Sequence, residues 1–216
     1  MNKTTWNNCK FVALKRLYMK RVFLFAVVLL FISPLVIGKK KMPPAPKVKE
    51  TEEIHWITNI DELQAKMQQN PKKVMIDIYT GWCGWCKKMD ADTYTNPSLV
   101  KYINNNFYAL RLDAERKDVI HFQGKEYSYD PQYKANTFAV EMLKGSMSYP
   151  TIVFMLENFQ NPVPIPGYHN VKEMQSFLTF FGDNAYRHVK WDDYSKTFHS
   201  TWDNGVAPDM TPPAAH

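Results

Sequence analysis

Two cysteines separated by two residues, Cys83 and Cys86, are the side chains of this 216-residue chain whose type and spacing best suit chemistry. They lie in the segment Trp82-Cys83-Gly84-Trp85-Cys86, where a short apolar run that predicts a buried strand turns into a predicted helix. A thiol at a helix N-terminus faces unpaired N–H groups and the positive end of the helix dipole. Both features favour the thiolate, which is the nucleophilic form of cysteine.

This spacing suits thiol–disulfide exchange. Cys83 can attack a substrate disulfide to form a mixed disulfide, and Cys86, one turn further on, can then attack Cys83 and release the reduced substrate. The second step needs Cys86 as a thiolate, so a proton acceptor must be near. Asp77 in the apolar run 74–79 is the candidate, because a lone carboxyl in a buried strand is costly unless it is used. Burial should also raise its pKa and make it a usable base.

Other uses of a Cys-x-x-Cys pair fit the sequence less well. Cys9 is the only further cysteine, and the six histidines show no i, i+3 or i, i+4 pairing, so the sequence predicts no metal site. No histidine follows Cys86 directly, which excludes covalent haem attachment. A structural disulfide would close a very small loop and would constrain the unfolded chain little.

Short strands and helices alternate through the middle of the chain, which predicts an α/β fold with a mixed sheet. Thr58 with Asp61 resembles a capping box, and Asn96 with Pro97 predicts a second helix start. Residues 113–133 predict an insertion or hairpin. The predicted strands are 54–57, 74–79, 107–112, 151–156 and 163–165, and the predicted helices are 58–69, 81–89, 96–104, 135–143, 171–181, 184–189 and 192–202.

The segment from Val74 to Lys87, VMIDIYTGWCGWCK, closely resembles the active-site strand and helix of the thioredoxin family. The resemblance covers about residues 54–182. It implies the thioredoxin fold, a mixed central sheet flanked by helices, here with an insertion at 113–147 before the cis-proline loop and extra C-terminal helices. It also implies that Cys83 is the nucleophile, Cys86 resolves and Asp77 moves the proton, with the Cys83–Cys86 disulfide as the redox centre and no other cofactor.

The resemblance further implies a substrate-binding surface. The family places a cis-proline opposite the cysteines, and the segment Ser148-Tyr149-Pro150-Thr151 before an apolar strand matches that position. Pro150 would then be cis, and the backbone of Tyr149 would pair with a substrate chain in β fashion. The other residues that the resemblance implies for this surface are Trp82, Gly84, Trp85, Thr151 and Gly167.

Two departures from the family pattern bear on the reaction. The dipeptide between the cysteines is Gly-Trp, not Gly-Pro, and is closer to exported thioredoxin-like proteins and the C-terminal domains of periplasmic disulfide-interchange reductases. It favours a reductase of protein disulfides recharged by a membrane or soluble thiol donor; an envelope oxidase or isomerase and a non-catalytic binding module remain alternatives. The family lysine that pairs with the buried aspartate is replaced at the aligned position by Ala109.

The formal net charge of +6 belongs to the N-terminus. Residues 1–49 hold eleven of the 27 basic residues and no acidic residue, which leaves 16 basic against 21 acidic residues, a net charge of −5, in residues 50–216. Cleavage after Gly38 would remove six cations and leave a net charge of zero. The basicity therefore indicates export, and the sequence predicts no nucleic-acid partner.

Residues 19–38 resemble a secretory signal, with a basic start, an apolar run over 22–37 and a small residue, Gly38, before a cleavage point. The run has about 16 residues, short of the ~20 that span a bilayer, but the lysines at 39–41 also suit an uncleaved tether. An exported location in the periplasm or cell envelope follows. The predicted organisation is a signal peptide or anchor at 1–38 (with 1–18 upstream of a start at Met19), a linker at 39–53, a thioredoxin-like domain at 54–203 and a disordered tail at 204–216.

Overall fold

The computed structural model describes residues 52–202, so the predicted signal or anchor and the tail lie outside the described part of the chain. Five strands form one mixed sheet: β1 (Trp56–Ile57), β2 (Lys73–Tyr79), β3 (Phe107–Asp113), β8 (Thr151–Leu156) and β9 (Gln160–Pro166). Their order in the sheet is β1-β3-β2-β8-β9, with β3 parallel to both β1 and β2, β8 antiparallel to β2, and β9 antiparallel to β8. The predicted mixed α/β sheet is confirmed.

Helices pack on both faces of this sheet. The bounds are α1 (Ile60–Gln69), α2 (Gly84–Asp92), α3 (Pro97–Asn106), α4 (Thr137–Met142), α5 (Val171–Gly182) and α6 (Trp191–Thr197). The predicted cap of the first helix is wrong, because Asn59 and not Thr58 accepts the backbone N–H of Asp61. The predicted start at Asn96 is confirmed, with its side chain accepting the N–H groups of the first turn.

Strand β2 lies at the centre of the sheet and places Asp77 in the core. Six of its seven residues are buried, as expected for a strand covered on both faces. Successive side chains of a strand point to opposite faces, so Asp77 shares a face with Met75. Met75 belongs to the core cluster formed with α2, α3 and α5, whereas Ile76 belongs to the cluster formed with α1 and α4. Asp77 therefore points to the side of the sheet that carries α2, the helix that contains Cys86.

The predicted insertion forms two small hairpins that do not extend the main sheet. They consist of β4 (Ile120–Phe122) with β5 (Lys125–Tyr127), and β6 (Tyr129–Asp130) with β7 (Ala135–Asn136). The helix predicted from residue 135 starts at Thr137, because Ala135 and Asn136 pair with β6 and the Asn136 side chain caps the helix.

The predicted C-terminal helices are shorter than the sequence pattern suggests. Asn184 adopts a left-handed conformation, and only a 3₁₀ turn, Ala185–Arg187, follows it. Helix α6 ends at Thr197, because the chain then turns back and the backbone N–H groups of Thr201 and Trp202 donate to the Gln175 side chain of α5. Among residues 52–202, no helix is long and apolar enough to cross a membrane.

Candidate active site

Cys83 and Cys86 form a disulfide at the start of α2. Cys83 is the N-cap residue, and the backbone N–H of Cys86 donates to its Sγ over 3.0 Å. The first N–H groups of a helix have no partner within the helix, so the cap sulfur satisfies one of them. The same N–H and the helix dipole would stabilise a thiolate on Cys83 after reduction. Both cysteines are only 3% exposed, so the helix position, and not exposure, distinguishes them.

The tryptophans next to the two cysteines in sequence each contact a tyrosine ring. Trp82 is 67% exposed, and its ring meets the ring of Tyr149 edge-on with centroids 5.9 Å apart. Trp85 lies beside Tyr168, with ring centroids 5.4 Å apart. The contact of Trp82 with Tyr149 joins the turn before α2 to the loop before β8. The two segments that the sequence predicted to form one site therefore lie together.

The loop before β8 has the backbone that the family resemblance implied. The Tyr149–Pro150 peptide is cis. The Pro150 carbonyl accepts the N–H of Gly167 over 2.8 Å, and the Thr151 hydroxyl donates to the Ser148 carbonyl over 2.8 Å. Gly167 has a φ of 102°, which side-chain-bearing residues rarely adopt. These residues are therefore assembled around one loop, and their part in substrate binding stays a prediction.

Asp77, on the face of β2 that carries α2, has an incompletely satisfied carboxyl. Its side chain is 1% exposed, and within residues 52–202 its Oδ1 has no hydrogen-bond partner. Burial raises the pKa of Asp77 to about 7, the cation of Arg111 opposes that rise, and the carboxylate of Asp90 adds to it. A carboxyl with that pKa can take up and release a proton near neutral pH.

Arg111, and not the aligned Ala109, is the basic residue that faces Asp77. The register of β2 and β3 pairs Asp77 with Arg111 and Met75 with Ala109. Arg111 Nε lies 3.6 Å from Asp77 Oδ2. Because residues two apart on a strand share a face, the long side chain at 111 reaches the same side as position 109. The charge expected from the family lysine is therefore supplied two residues later.

Asp90, Tyr94 and Arg111 are residues of this site that sequence reasoning missed. Asp90 follows Cys86 by one helical turn and forms two hydrogen bonds with Arg111, each 2.7 Å long. The Tyr94 hydroxyl is buried without a hydrogen-bond partner in the described part of the chain. Burial raises the pKa of Tyr94 well above its usual value, and the charges of Asp77 and Asp90 raise it further while Arg111 lowers it. The i, i+4 spacing of Cys86 and Asp90 is the sequence signal that could have indicated this helix face.

The described residues offer the two cysteines no further side chains with which to bind a metal ion. Between positions 52 and 202, no three or more His, Cys, Asp or Glu side chains come together in a way that could hold a metal ion. The site consists instead of a disulfide, a buried carboxyl and a cation held by a second carboxylate. This arrangement fits proton-coupled disulfide exchange.

Comparison with known proteins assigns the family. Residues 60–182, more than half of the chain, match the thioredoxin-like domain family. The chain belongs to this family of thioredoxin-like domains, and it carries a Cys-x-x-Cys disulfide at the position described above.

Curated relatives match over short segments. A thiol:disulfide interchange protein DsbD from Pectobacterium atrosepticum is 26% identical over 93 residues, 39% of this chain and 16% of that protein. DsbD from Vibrio vulnificus is 32% identical over 72 residues, 31% of this chain and 12% of that protein. An uncharacterized protein, B0495.5, from Caenorhabditis elegans is 28% identical over 64 residues, 30% of this chain and 9% of that protein. The chain thus spans at most about a sixth of the length of these relatives.

Two solved structures are similar to this chain at low sequence identity. A thioredoxin-fold protein from Helicobacter pylori is 20% identical with a TM-score of 0.42, covering 65% of this chain and 82% of that chain. A DsbH oxidoreductase is 13% identical with a TM-score of 0.44, covering 68% of this chain and 94% of that chain.

Proposed function

We propose that this protein is an exported thiol–disulfide oxidoreductase that reduces protein disulfides through Cys83 and Cys86. The observation that carries the proposal is the Cys83 sulfur at the N-cap of α2, where it accepts the Cys86 N–H over 3.0 Å. On the face of the sheet that carries α2, Asp77 is buried, and burial raises its pKa to about 7. A nucleophilic sulfur and a proton acceptor in one site are what dithiol–disulfide exchange requires.

The reaction begins with the dithiol form of the protein. The Cys83 thiolate attacks one sulfur of a substrate disulfide, forms a mixed disulfide and expels the other substrate sulfur as a thiolate, which takes a proton from water. The Cys86 thiol then gives its proton to ionised Asp77 and attacks the Cys83 sulfur. The second substrate thiolate leaves, so two electrons have passed to the substrate and the protein holds the Cys83–Cys86 disulfide. A membrane or soluble dithiol donor returns the protein to its reduced form.

The substrate chain is proposed to lie along the loop before β8. The backbone of Tyr149 would form β-type hydrogen bonds with it, and Pro150, Thr151 and Gly167 would shape the backbone that it meets. Trp82, Gly84 and Trp85 would contact the residues around the substrate disulfide.

We expect Trp82→Ala to raise the KM for a protein disulfide by ~3–10-fold with little change in stability, since an aromatic contact contributes about 1 kcal/mol. Trp82 is mostly exposed, so its loss removes little packing within the protein. The measurement is insulin reduction as a function of insulin concentration. The matched control is Val189→Ala, an exposed apolar side chain in the C-terminal region. An unchanged KM for Trp82→Ala would remove Trp82 from the binding surface.

Export is proposed from the basic start, apolar run and small residue of positions 19–38. To test export, the protein is isolated from the exported, membrane and cytosolic fractions of cells, and its intact mass is measured in each. A chain that begins at residue 39 in an exported fraction supports a cleaved signal, and an intact chain in the membrane fraction supports a tether through residues 22–37. A chain that stays intact in the cytosol would contradict export.

The direction of the reaction is tested by the reduction potential of the Cys83–Cys86 couple. We expect a value near ~ −270 mV, as in thioredoxin, because the proposal is a reductase. A value near ~ −120 mV would indicate an oxidase, and one near ~ −180 mV an isomerase. Insulin reduction by the wild type that is lost in Cys83→Ser separates all of these from a non-catalytic binding module, which would show no reduction in either protein.

A further inference from the structure

Arg111 is held between two carboxylates of very different exposure. Its two terminal nitrogens bind both oxygens of Asp90 at 2.7 Å, whereas its Nε stays 3.6 Å from the nearer oxygen of Asp77. The Asp90 side chain is 38% exposed, that of Arg111 is 20% exposed and that of Asp77 is 1% exposed. The three residues therefore connect the buried carboxyl to the protein surface.

Two aromatic rings also contact the planar guanidinium of Arg111. The ring centroid of Tyr79 lies 4.7 Å from Arg111 Cζ, and that of Trp56 lies 5.4 Å away. Both distances fit cation–π contact. A fork of two hydrogen bonds together with aromatic contacts allows a planar group little freedom to rotate. A separation of 3.6 Å is longer than a normal hydrogen bond, so the fork to Asp90 holds Arg111 short of a direct bond to Asp77.

We propose that Asp90 is a positioning residue that acts through Arg111, holding the guanidinium short of Asp77 and thereby keeping Asp77 able to exchange a proton during the resolving step. This inference rests on the proposed function, because it assigns a role within the same reaction. A guanidinium bonded directly to Asp77 would hold the carboxyl ionised and make it a weaker base. The restraint by Asp90 therefore favours proton transfer from Cys86.

The groups around Asp77 allow this assignment to be tested. Arg111 on β3 and Asp90 on α2 are the charged residues that act on Asp77. The Tyr94 hydroxyl, which follows α2, is raised in pKa by the charge of Asp77. The neighbour on β8 is Ile152, which carries no charge. Asp90 and Arg111 are thus the two nearby charges of opposite sign that a substitution can remove separately.

The experiment follows the titration of Asp77 directly by ¹³C NMR of the side-chain carboxyl in the oxidised protein, in which no active-site thiol titrates. Asp77→Asn assigns the signal. We expect Asp90→Asn to lower the Asp77 midpoint by about one pH unit or more, because an anion is lost and Arg111 is freed to bind Asp77. Arg111→Met should raise the midpoint, and Asp90→Glu, which keeps the charge and the fork, should restore a value near that of the wild type.

The double variant tests whether Asp90 acts through Arg111. In an Arg111→Met background, Asp90→Asn should shift the midpoint much less than in the wild type, because no guanidinium remains to be released. An equal shift in both backgrounds, or no downward shift in Asp90→Asn alone, would overturn the proposal. Arg111→Lys provides a second background if Arg111→Met does not fold, and there too the shift should be smaller because an ammonium cannot form the fork.

The same variants report on the reaction. In reduced Asp90→Asn, resolution of a mixed disulfide should slow severalfold at pH 7, and the difference from the wild type should shrink as the pH rises. An unchanged pH profile of the resolving step would overturn the proposed role. Failure of the wild type to reduce insulin would contradict the proposed function instead, while the Asp77 titration would still report whether Asp90 and Arg111 are coupled to it.

Discussion

Replacing Cys86 by alanine is expected to turn a transient mixed disulfide into a stable one on Cys83. Without the resolving thiol, the bond between Cys83 and the substrate can be broken only by an external thiol. Non-reducing electrophoresis of the variant expressed in cells should show protein adducts that disappear on reduction. Mass spectrometry of the adducts should place every cross-link on Cys83 and identify the physiological partners.

The matched control is Cys83→Ser, which leaves Cys86 inside the first turn of α2 and not at its N-cap. This variant should form no adducts and should lose insulin reduction by ~1,000-fold or more, as expected when the nucleophile of a covalent mechanism is removed. Adducts on Cys86 would reverse the assignment of the two thiols. An absence of adducts in Cys86→Ala would contradict the exchange mechanism.

Asp77→Asn is expected to slow the resolving step ~100-fold near pH 7, within the usual range for loss of a general base. The attack of Cys83 on the substrate does not need this carboxyl and should change less. The loss should become smaller at high pH, where Cys86 ionises without help. Rapid-mixing kinetics of mixed-disulfide release between pH 6 and 10 measure the effect, and an unchanged rate at pH 7 would remove Asp77 from the mechanism.

The same substitution should stabilise the oxidised protein. The folded-state pKa of Asp77 is about 7, and the unfolded value is ~3.9. Between these values the folded state holds a proton that the unfolded chain has released, so the free energy of unfolding falls as the pH rises from about 4 to about 7. Asparagine does not titrate, so the variant escapes this loss. The free energy of unfolding of Asp77→Asn minus that of the wild type should therefore be ~2–4 kcal/mol larger at pH 8 than at pH 4.5.

Denaturant unfolding at the two pH values measures this gain. The control is Asp92→Asn, which changes a 41% exposed carboxylate at the end of α2 that pairs with Lys88. Its effect should stay within ~0.5 kcal/mol at both pH values, as is usual for surface substitutions. If the free energies of unfolding of Asp77→Asn and the wild type change by the same amount between pH 4.5 and pH 8, the pKa of Asp77 is not raised in the folded state.

The parts of the fold that local sequence patterns determine could be predicted. Strand β2 was recognisable because a continuous apolar run marks a strand covered on both faces. The start of α3 was recognisable because Asn96 and Pro97 form a strong N-terminal signal. The disulfide at the start of α2 and the cis bond at Pro150 were implied by the family resemblance, and both are present.

The parts that depend on register and on distant contacts could not be predicted. Arg111 was missed because strand pairing, and not alignment to the family lysine, decides which residue faces Asp77. Asp90 was missed because its importance comes from its bond to Arg111, 21 residues away in sequence. Helix α6 was predicted too long because Gln175, more than 20 residues earlier, holds the chain after it in a turn.

The central claim is that the Cys83–Cys86 pair exchanges electrons with protein disulfides. The most direct measurement is the rate at which the reduced protein, without any other reductant, reduces insulin disulfides in a single turnover. We predict one insulin disulfide reduced per Cys83–Cys86 disulfide formed, at a rate well above that of dithiothreitol at the same thiol concentration. A rate no higher than that of dithiothreitol, or one equal to that of Cys83→Ser, would contradict the claim.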